Sequence, residues 1–178
     1  DDNLNDDVET NTGVWDSATN TGTDPLDADS DDDTYLDGVE NNSGNYVDAT
    51  NPGTDPNKLD TDEDGLPDGW EIDNMIDPTD DGTTDVANGP DGDPDSDVST
   101  NLAEFTRGTD PQDNDSDDDT LFDGWEDNTG IYVSSTMTGT DPLNNDTDGD
   151  SLFDNVETAD GNFVDDNATG TNPNLHDT

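Results

Sequence analysis

Carboxylates recur along this chain at fixed intervals. Asp29, Asp31, Asp33, Asp37 and Glu40 stand at positions 1, 3, 5, 9 and 12 of a twelve-residue loop. Asp60, Asp62, Asp64, Asp68 and Glu71 fill the same positions, as do Asp115, Asp117, Asp119, Asp123 and Glu126, and Asp146, Asp148, Asp150, Asp154 and Glu157. A fifth copy reads Asp93, Asp95, Asp97, Asn101 and Glu104, with Asn at position 9. Asp2, Asp6 and Glu9 match positions 5, 9 and 12 of a sixth, whose first positions would precede residue 1. This spacing suits calcium, a hard cation that takes roughly 6–8 oxygen ligands. Asp at 1, 3 and 5 of a tight loop aims alternate side chains at one point. Position 7 then gives a backbone carbonyl, here from Tyr35, Leu66, Ser99, Leu121 and Leu152. Position 9 ligates directly or through water, and the Glu at 12 adds two oxygens. Magnesium demands a tighter octahedron and keeps its waters, so it fits such a loop less well. Five complete copies predict at least five Ca2+ ions.

The rest of the composition narrows the choice. Of 178 residues, 51 are Asp or Glu and 2 are Lys or Arg, for a net charge of −49. By composition alone such a chain is disordered, with too little apolar surface to fold and too much self-repulsion. Disorder tolerates acids anywhere, whereas metal sites need them in register, and here they are in register. Without cations the crowded carboxylates repel one another, so the expected pair of states is a mobile apo chain and a stiff metal-bound one. There is no cysteine and one histidine, His176, which leaves no disulfide framework and little scope for a transition-metal site. No apolar stretch approaches the length of a membrane span. The negative charge argues against nucleic acid as a partner.

The loops sit in a longer repeat. Gly-Thr-Asp-Pro occurs at 22–25, 53–56, 108–111 and 139–142, with Gly-Thr-Asn-Pro at 170–173. Five residues after its Asp or Asn comes another Asp, and the last of these, Asp177, would open one more loop. The expected divisions are a partial long repeat (1–28), a long repeat (29–59), a short repeat (60–78), a Gly- and Asp-rich linker (79–92), a short repeat (93–114), a long repeat (115–145) and a last long repeat with the start of the next (146–178). Loops cut at both ends suggest a window on a longer repetitive chain. The Asp of each Gly-Thr-Asp-Pro, Asp24, Asp55, Asp110 and Asp141, has two readings: a turn residue before proline, or an additional metal ligand.

The stretch Asp60-Thr-Asp-Glu-Asp-Gly-Leu-Pro-Asp-Gly-Trp-Glu71, with its leading Gly-Thr-Asp-Pro, resembles the bacterial thrombospondin type 3 repeat. Asp93 to Pro111 resembles another version of it. The likeness to an EF-hand stops at ligand spacing, because the apolar positions are 7 and 11 and the flanks are rich in poor helix formers. The resemblance implies extracellular calcium-binding repeats with little regular secondary structure. The expected fold is therefore a linear tandem array of calcium-binding loops, with short β-hairpin-like inserts and single helical turns near positions 9–12. Two departures stand out. Position 6, usually Gly, is Thr34, Val98, Thr120 and Ser151, which are strained if that position needs positive φ. Position 7 of the fifth copy is Ser99, which forfeits an apolar anchor.

The long units carry a nine-residue insert in which Gly13, Gly44, Gly130 and Gly161 are followed two residues later by Trp15, Tyr46, Tyr132 and Phe163. This predicts a turn entering a short strand or hairpin. The rings either bind glycan or a neighbouring chain, or cover the side chains at 7 and 11. The second is favoured, because each unit has almost nothing else apolar to pack. Sequons occur at Asn41, Asn114, Asn145 and Asn167, and Asn41 and Asn167, in or beside inserts, are the better glycosylation candidates.

These features point to an extracellular or cell-surface protein, bacterial in type, whose calcium loops stiffen a rod, stalk or fibre. Its expected partners are further copies of itself. The alternative is an adhesin module that holds glycan or protein through the aromatic inserts. An enzyme is not expected, because the repeat already accounts for the acids.

Overall fold

The computed structural model describes residues 2–176, so the expected loop opening at Asp177 lies outside them. The chain divides into two compact units, Asp1–Gly92 and Asp93–Thr178.

Regular secondary structure is sparse. Among the described residues there are two α-helices, α1 (Asp68–Asp73) and α2 (Asn101–Arg107), and three single 3-10 turns. Both helices begin at loop position 9, and both belong to short units. Thr100 caps α2 by accepting the N–H of Ala103, and Gly108 ends it at φ 84°. In the last two long units only the 3-10 turns Asp123–Trp125 and Asp154–Val156 form. The reason lies two residues beyond the Glu, where Asn128 and Ala159 adopt φ of 50° and 49°. That left-handed residue turns the chain into the insert before a helix can propagate.

Each insert is a closed loop pinned at two levels. Near its mouth the N–H of Gly13, Gly44, Gly130 or Gly161 donates to the carbonyl of Gly22, Gly53, Gly139 or Gly170. Near its tip an isolated antiparallel bridge joins Ser17 to Asn20, Asp48 to Asn51, Ser134 to Met137, and Asp165 to Ala168. The expected hairpins are thus single bridges. The Gly of Gly-Thr-Asp-Pro is required for closure. At Gly22 a Cβ would meet the Val14 carbonyl oxygen at 2.3 Å, and φ there is 82°.

The segment 79–92 has order of its own. Asp80 accepts from the N–H of Thr84 and Asp85 and from the Asn88 amide. Gly82 and Gly89 cross with their backbones in contact.

Among the described residues the buried aliphatic chains are Leu66, Ile72 and Ile76, all in the first short unit, joined by the rings of Pro52, Pro56, Pro78, Pro111, Pro142 and Pro173. The remaining buried side chains are polar, chiefly loop carboxylates and threonines. Leu4, Tyr35, Leu121 and Leu152 at position 7 are half-buried, as are Val8, Val39, Trp70, Trp125 and Val156 at position 11. Trp15, Tyr46 and Tyr132 are half-buried too, and Tyr46 lies beside Tyr35, the position 7 side chain of its own repeat. Phe163 differs. It is 70% exposed, and Val164 beside it is 69% exposed.

Candidate metal centres

Each complete loop is wound about its own acids. The position 1 carboxylate closes the turn: Asp29 accepts from the N–H of Asp33 (3.2 Å) and Thr34 (3.0 Å), and Asp115 from Asp119 (3.0 Å) and Thr120 (2.8 Å). Asp93 and Asp146 do the same in their loops, and Asp60 accepts from the N–H of Glu63 and Gly65. One oxygen of the position 5 acid accepts the N–H of position 7, as in Asp33 with Tyr35, Asp64 with Leu66, Asp97 with Ser99, Asp119 with Leu121 and Asp150 with Leu152. Such winding puts position 6 in the left-handed region. Thr34, Val98, Thr120 and Ser151 take φ of 85°, 84°, 81° and 82°, so the expected backbone strain is present.

The loops leave carboxylate oxygens pointed at one another. Asp29, Asp31 and Asp33 bring one oxygen each within 4.8 Å of the others, as do Asp60, Asp62 and Asp64, and Asp93, Asp95 and Asp97. The outer oxygen of the position 3 acid is buried without a hydrogen-bond partner in all five complete loops, at Asp31, Asp62, Asp95, Asp117 and Asp148. Both oxygens of Glu40, Glu71, Glu104 and Glu157, and one of Glu126, are in the same condition at position 12. Buried charges in proteins are paired or coordinate metals. The chain has almost no cationic side chains with which to pair them, and Lys58 is spent on Glu63 at the surface. Several of these clusters can therefore hold a metal ion, and the donor set is all oxygen, which suits a hard cation.

The electrostatics agree. Burial first, and neighbouring carboxylates second, push Glu40 up to about 9 and Glu71 up to about 11. Burial likewise raises Glu104 and Glu126 to about 8, and Asp31, Asp62, Asp95 and Asp117 to about 7. Carboxylates so placed favour either a proton or a cation.

Position 9 behaves differently from the expected own-loop ligand. Asp37, Asp68, Asp123 and Asp154 each accept the backbone N–H and the side-chain hydroxyl of position 2, which is Ser30, Thr61, Ser116 or Thr147. The carboxylate so held faces the preceding loop. Asp37 groups with Asp2 and Glu9, and Asp68 with Asp33 and Glu40. Asp123 lies beside Asp97 and Glu104, and Asp154 beside Asp119 and Glu126. Asn101 is fully buried at the start of α2, and Asp6 in the partial loop is exposed.

Residues with no obvious chemistry do the positioning. The position 2 hydroxyls also accept the N–H of Asp24, Asp55, Asp110 and Asp141. The Thr of Gly-Thr-Asp-Pro holds the Glu: Thr140 donates to Glu126 at 2.7 Å and Thr23 to Glu9 at 3.3 Å. The Asp of that motif makes a turn. Asp24, Asp55, Asp110 and Asp141 accept through Oδ1 from the N–H two residues on, and their carbonyls accept from the residue after that. Ser99 has exchanged its apolar role for a polar one: its hydroxyl accepts from Arg107, which also donates to the carbonyls of Asp123 and Glu126. The signal for the position 2 hydroxyl was present in the sequence, since Ser or Thr stands there wherever position 9 of a complete loop is Asp, and Pro94 stands there in the one loop with Asn.

Of the glycosylation candidates, Asn41 donates to Asn51 across its insert, and Asn167 is exposed in the tip turn of the last one. Asn114 and Asn145 are tied into their loops, where their carbonyls accept the N–H of position 9.

No family model, curated protein or solved structure matches the chain. No helix among the described residues is long and apolar enough to cross a membrane.

Proposed function

We propose that this is a calcium-binding structural protein of the thrombospondin type 3 kind, in which the loops fold around calcium and join into a stiff rod, stalk or fibre. The observation that carries the reading is the recurrence of buried, unpartnered carboxylate oxygens at positions 3 and 12 of every complete loop. A protein without a conventional core gains its order from such sites, because metal binding is then folding free energy. The affinity expected of extracellular modules of this chemistry is about 10⁻⁴–10⁻³ M, which suits a secreted or cell-surface setting. Further copies of the repeat are the expected neighbours. The role is structural rather than catalytic: the buried acids all belong to loops, and the positioning residues serve the loops in turn. Small-angle scattering before and after EGTA tests this. The reading expects stiff dimensions in calcium to give way to those of a mobile chain, and unchanged dimensions would sink it.

A second reading, adhesion to glycan or protein through the inserts, is favoured by one observation only, the exposed Phe163–Val164 pair. Loss of binding to a glycan panel in F163A, with the calcium-bound dimensions unchanged, would support it.

A further inference from the structure

We propose that residues 80–91 form a loop built like the calcium loops but with the cation replaced by the chain's own hydrogen bonds, so that its closing does not respond to calcium. The proposal rests on the reading of the other loops as calcium sites and sets this one apart from them.

The likeness lies in the first carboxylate. Counted from Asp80 as position 1, Thr84 and Asp85 stand at positions 5 and 6. Asp80 accepts from the N–H of both, at 3.0 and 2.9 Å. Asp29 and Asp115 accept from the same two positions of their own loops. The backbone reaches this closure by another route. Gly82, at position 3, takes a left-handed turn with φ 80°, and Asp85 is extended at φ −130°.

The inward acids of a calcium loop are missing. Gly82 and Thr84 fill positions 3 and 5, and Asn88 fills position 9. The amide of Asn88 donates to Asp80 Oδ2 at 3.2 Å, and its oxygen accepts the N–H of Asp77 at 3.4 Å. Asn88 thus gives the first carboxylate a donor where its counterparts elsewhere face other acids. Against a small penalty from burial, hydrogen bonds from Thr84, Asn88 and Asp85 hold the Asp80 carboxyl below its ordinary value. Burial raises Asp31, Asp62, Asp95 and Asp117 in the calcium loops. Asp81, Asp85 and Asp91 are exposed to water, and no carboxylate oxygen of this segment is buried without a partner. Backbone closes the middle of the loop. Gly89 is buried, and a Cβ on it would stand 2.7 Å from Gly82 Cα.

A calcium loop releases its ion when it opens, so protection of its amides rises with free calcium by mass action. A loop closed by hydrogen bonds alone has no such dependence. Hydrogen exchange on the full chain, above calcium saturation and at constant ionic strength, reads the difference. A ten-fold rise in free calcium should slow exchange of the Thr34 and Thr120 amides about ten-fold and leave Thr84 and Asp85 unchanged. Equal slowing of all four would overturn the proposal while leaving the calcium loops standing. No response at any of them would reject the calcium reading, and this proposal with it. N88A is the independent check. It should speed exchange of Thr84 and Asp85 at fixed calcium, with the number of bound ions, counted by equilibrium dialysis, as in the wild type. Loss of an ion in N88A, or unchanged exchange at Thr84 and Asp85, would contradict the role given to Asn88.

Discussion

The backbone N–H of Gly124 donates to Oδ2 of Asp97 at 2.7 Å, across 27 residues of chain. One loop is thereby seated on the carboxylate of the loop before it, and the seat has no room for a side chain. A Cβ on Gly124 would lie 2.4 Å from the Asp97 carbonyl oxygen, and one on Gly69 would lie 1.8 Å from that of Asp33. Ala in place of Gly69 gains about 1 kcal/mol of helix propensity within α1. Overpacking against a backbone atom costs typically about 1–3 kcal/mol, occasionally more, and here the obstacle cannot rotate away. G69A and G124A are therefore expected to lower the melting temperature in calcium relative to the wild type. Equal melting of G69A and wild type would contradict the seat.

Val98 offers the opposite test. It holds φ 84° and is 75% exposed, so it bears the strain of the left-handed region with little packing in return. Left-handed backbone costs a non-glycine residue about 1–2 kcal/mol, partly offset by the greater chain entropy of Gly, about 0.5–1 kcal/mol. V98G should stabilise the second unit by up to about 1 kcal/mol and strengthen its calcium binding, read as a lower calcium midpoint. A weaker midpoint would show that Val98 packs in some way that matters.

How acidity acts follows from the raised carboxylates. Burial pushes Glu40, Asp68 and Glu71 up to about 9, 8 and 11 within the fold, against ordinary values of 4.5 for Glu and 3.8 for Asp. The folded arrangement thus holds protons that the unfolded chain has released. Its stability without cations is fully present below the ordinary value and is lost as pH rises through the shifted ones. Calcium-stripped protein is expected to compact on acidification from pH 8 to pH 4, and tryptophan fluorescence should follow the change. A calcium-stripped chain that stays expanded on acidification would refute the assignment.

Arg107 adds direct hydrogen bonds to the junction between its loop and the next. Its guanidinium reaches Ser99 Oγ at 3.0 Å and the carbonyls of Asp123 and Glu126 at 2.8 and 3.1 Å. Hydrogen bonds to charged groups contribute about 1.5–3 kcal/mol, so R107Q should destabilise the second unit by roughly 2 kcal/mol in calcium, measured by denaturant midpoint. R107K, with a point charge in place of a planar fork, should recover only part of this.

Much of the site was legible from spacing alone. Positions 1, 3, 5 and 12 were fixed by five copies in phase, and the structure brings the first three together as expected. The strain at position 6 and the brevity of the helices also followed, from Thr34, Val98 and flanks rich in poor helix formers. The allegiance of position 9 did not. A linear pattern ties Asp68 to Asp60 by proximity, and only the docking of loop on loop shows that it faces Glu40. Ser30, Thr61 and their counterparts were hidden because a hydroxyl beside an Asp reads as an ordinary turn residue. Ser99 looked like a lost anchor until Arg107, eight residues on, was seen to reach it. The exposed ring of Phe163, unlike Tyr46, was equally beyond reach, since both sit at the same place in the repeat.

The central claim is that the cation, and not an apolar core, builds this fold. Backbone hydrogen exchange with and without calcium tests it most directly. In calcium the amides of Thr120, Leu121 and Gly124, each bound to a loop carboxylate, should be protected. EGTA should abolish that protection and returning calcium should restore it. Protection that persists unchanged in EGTA would contradict the account.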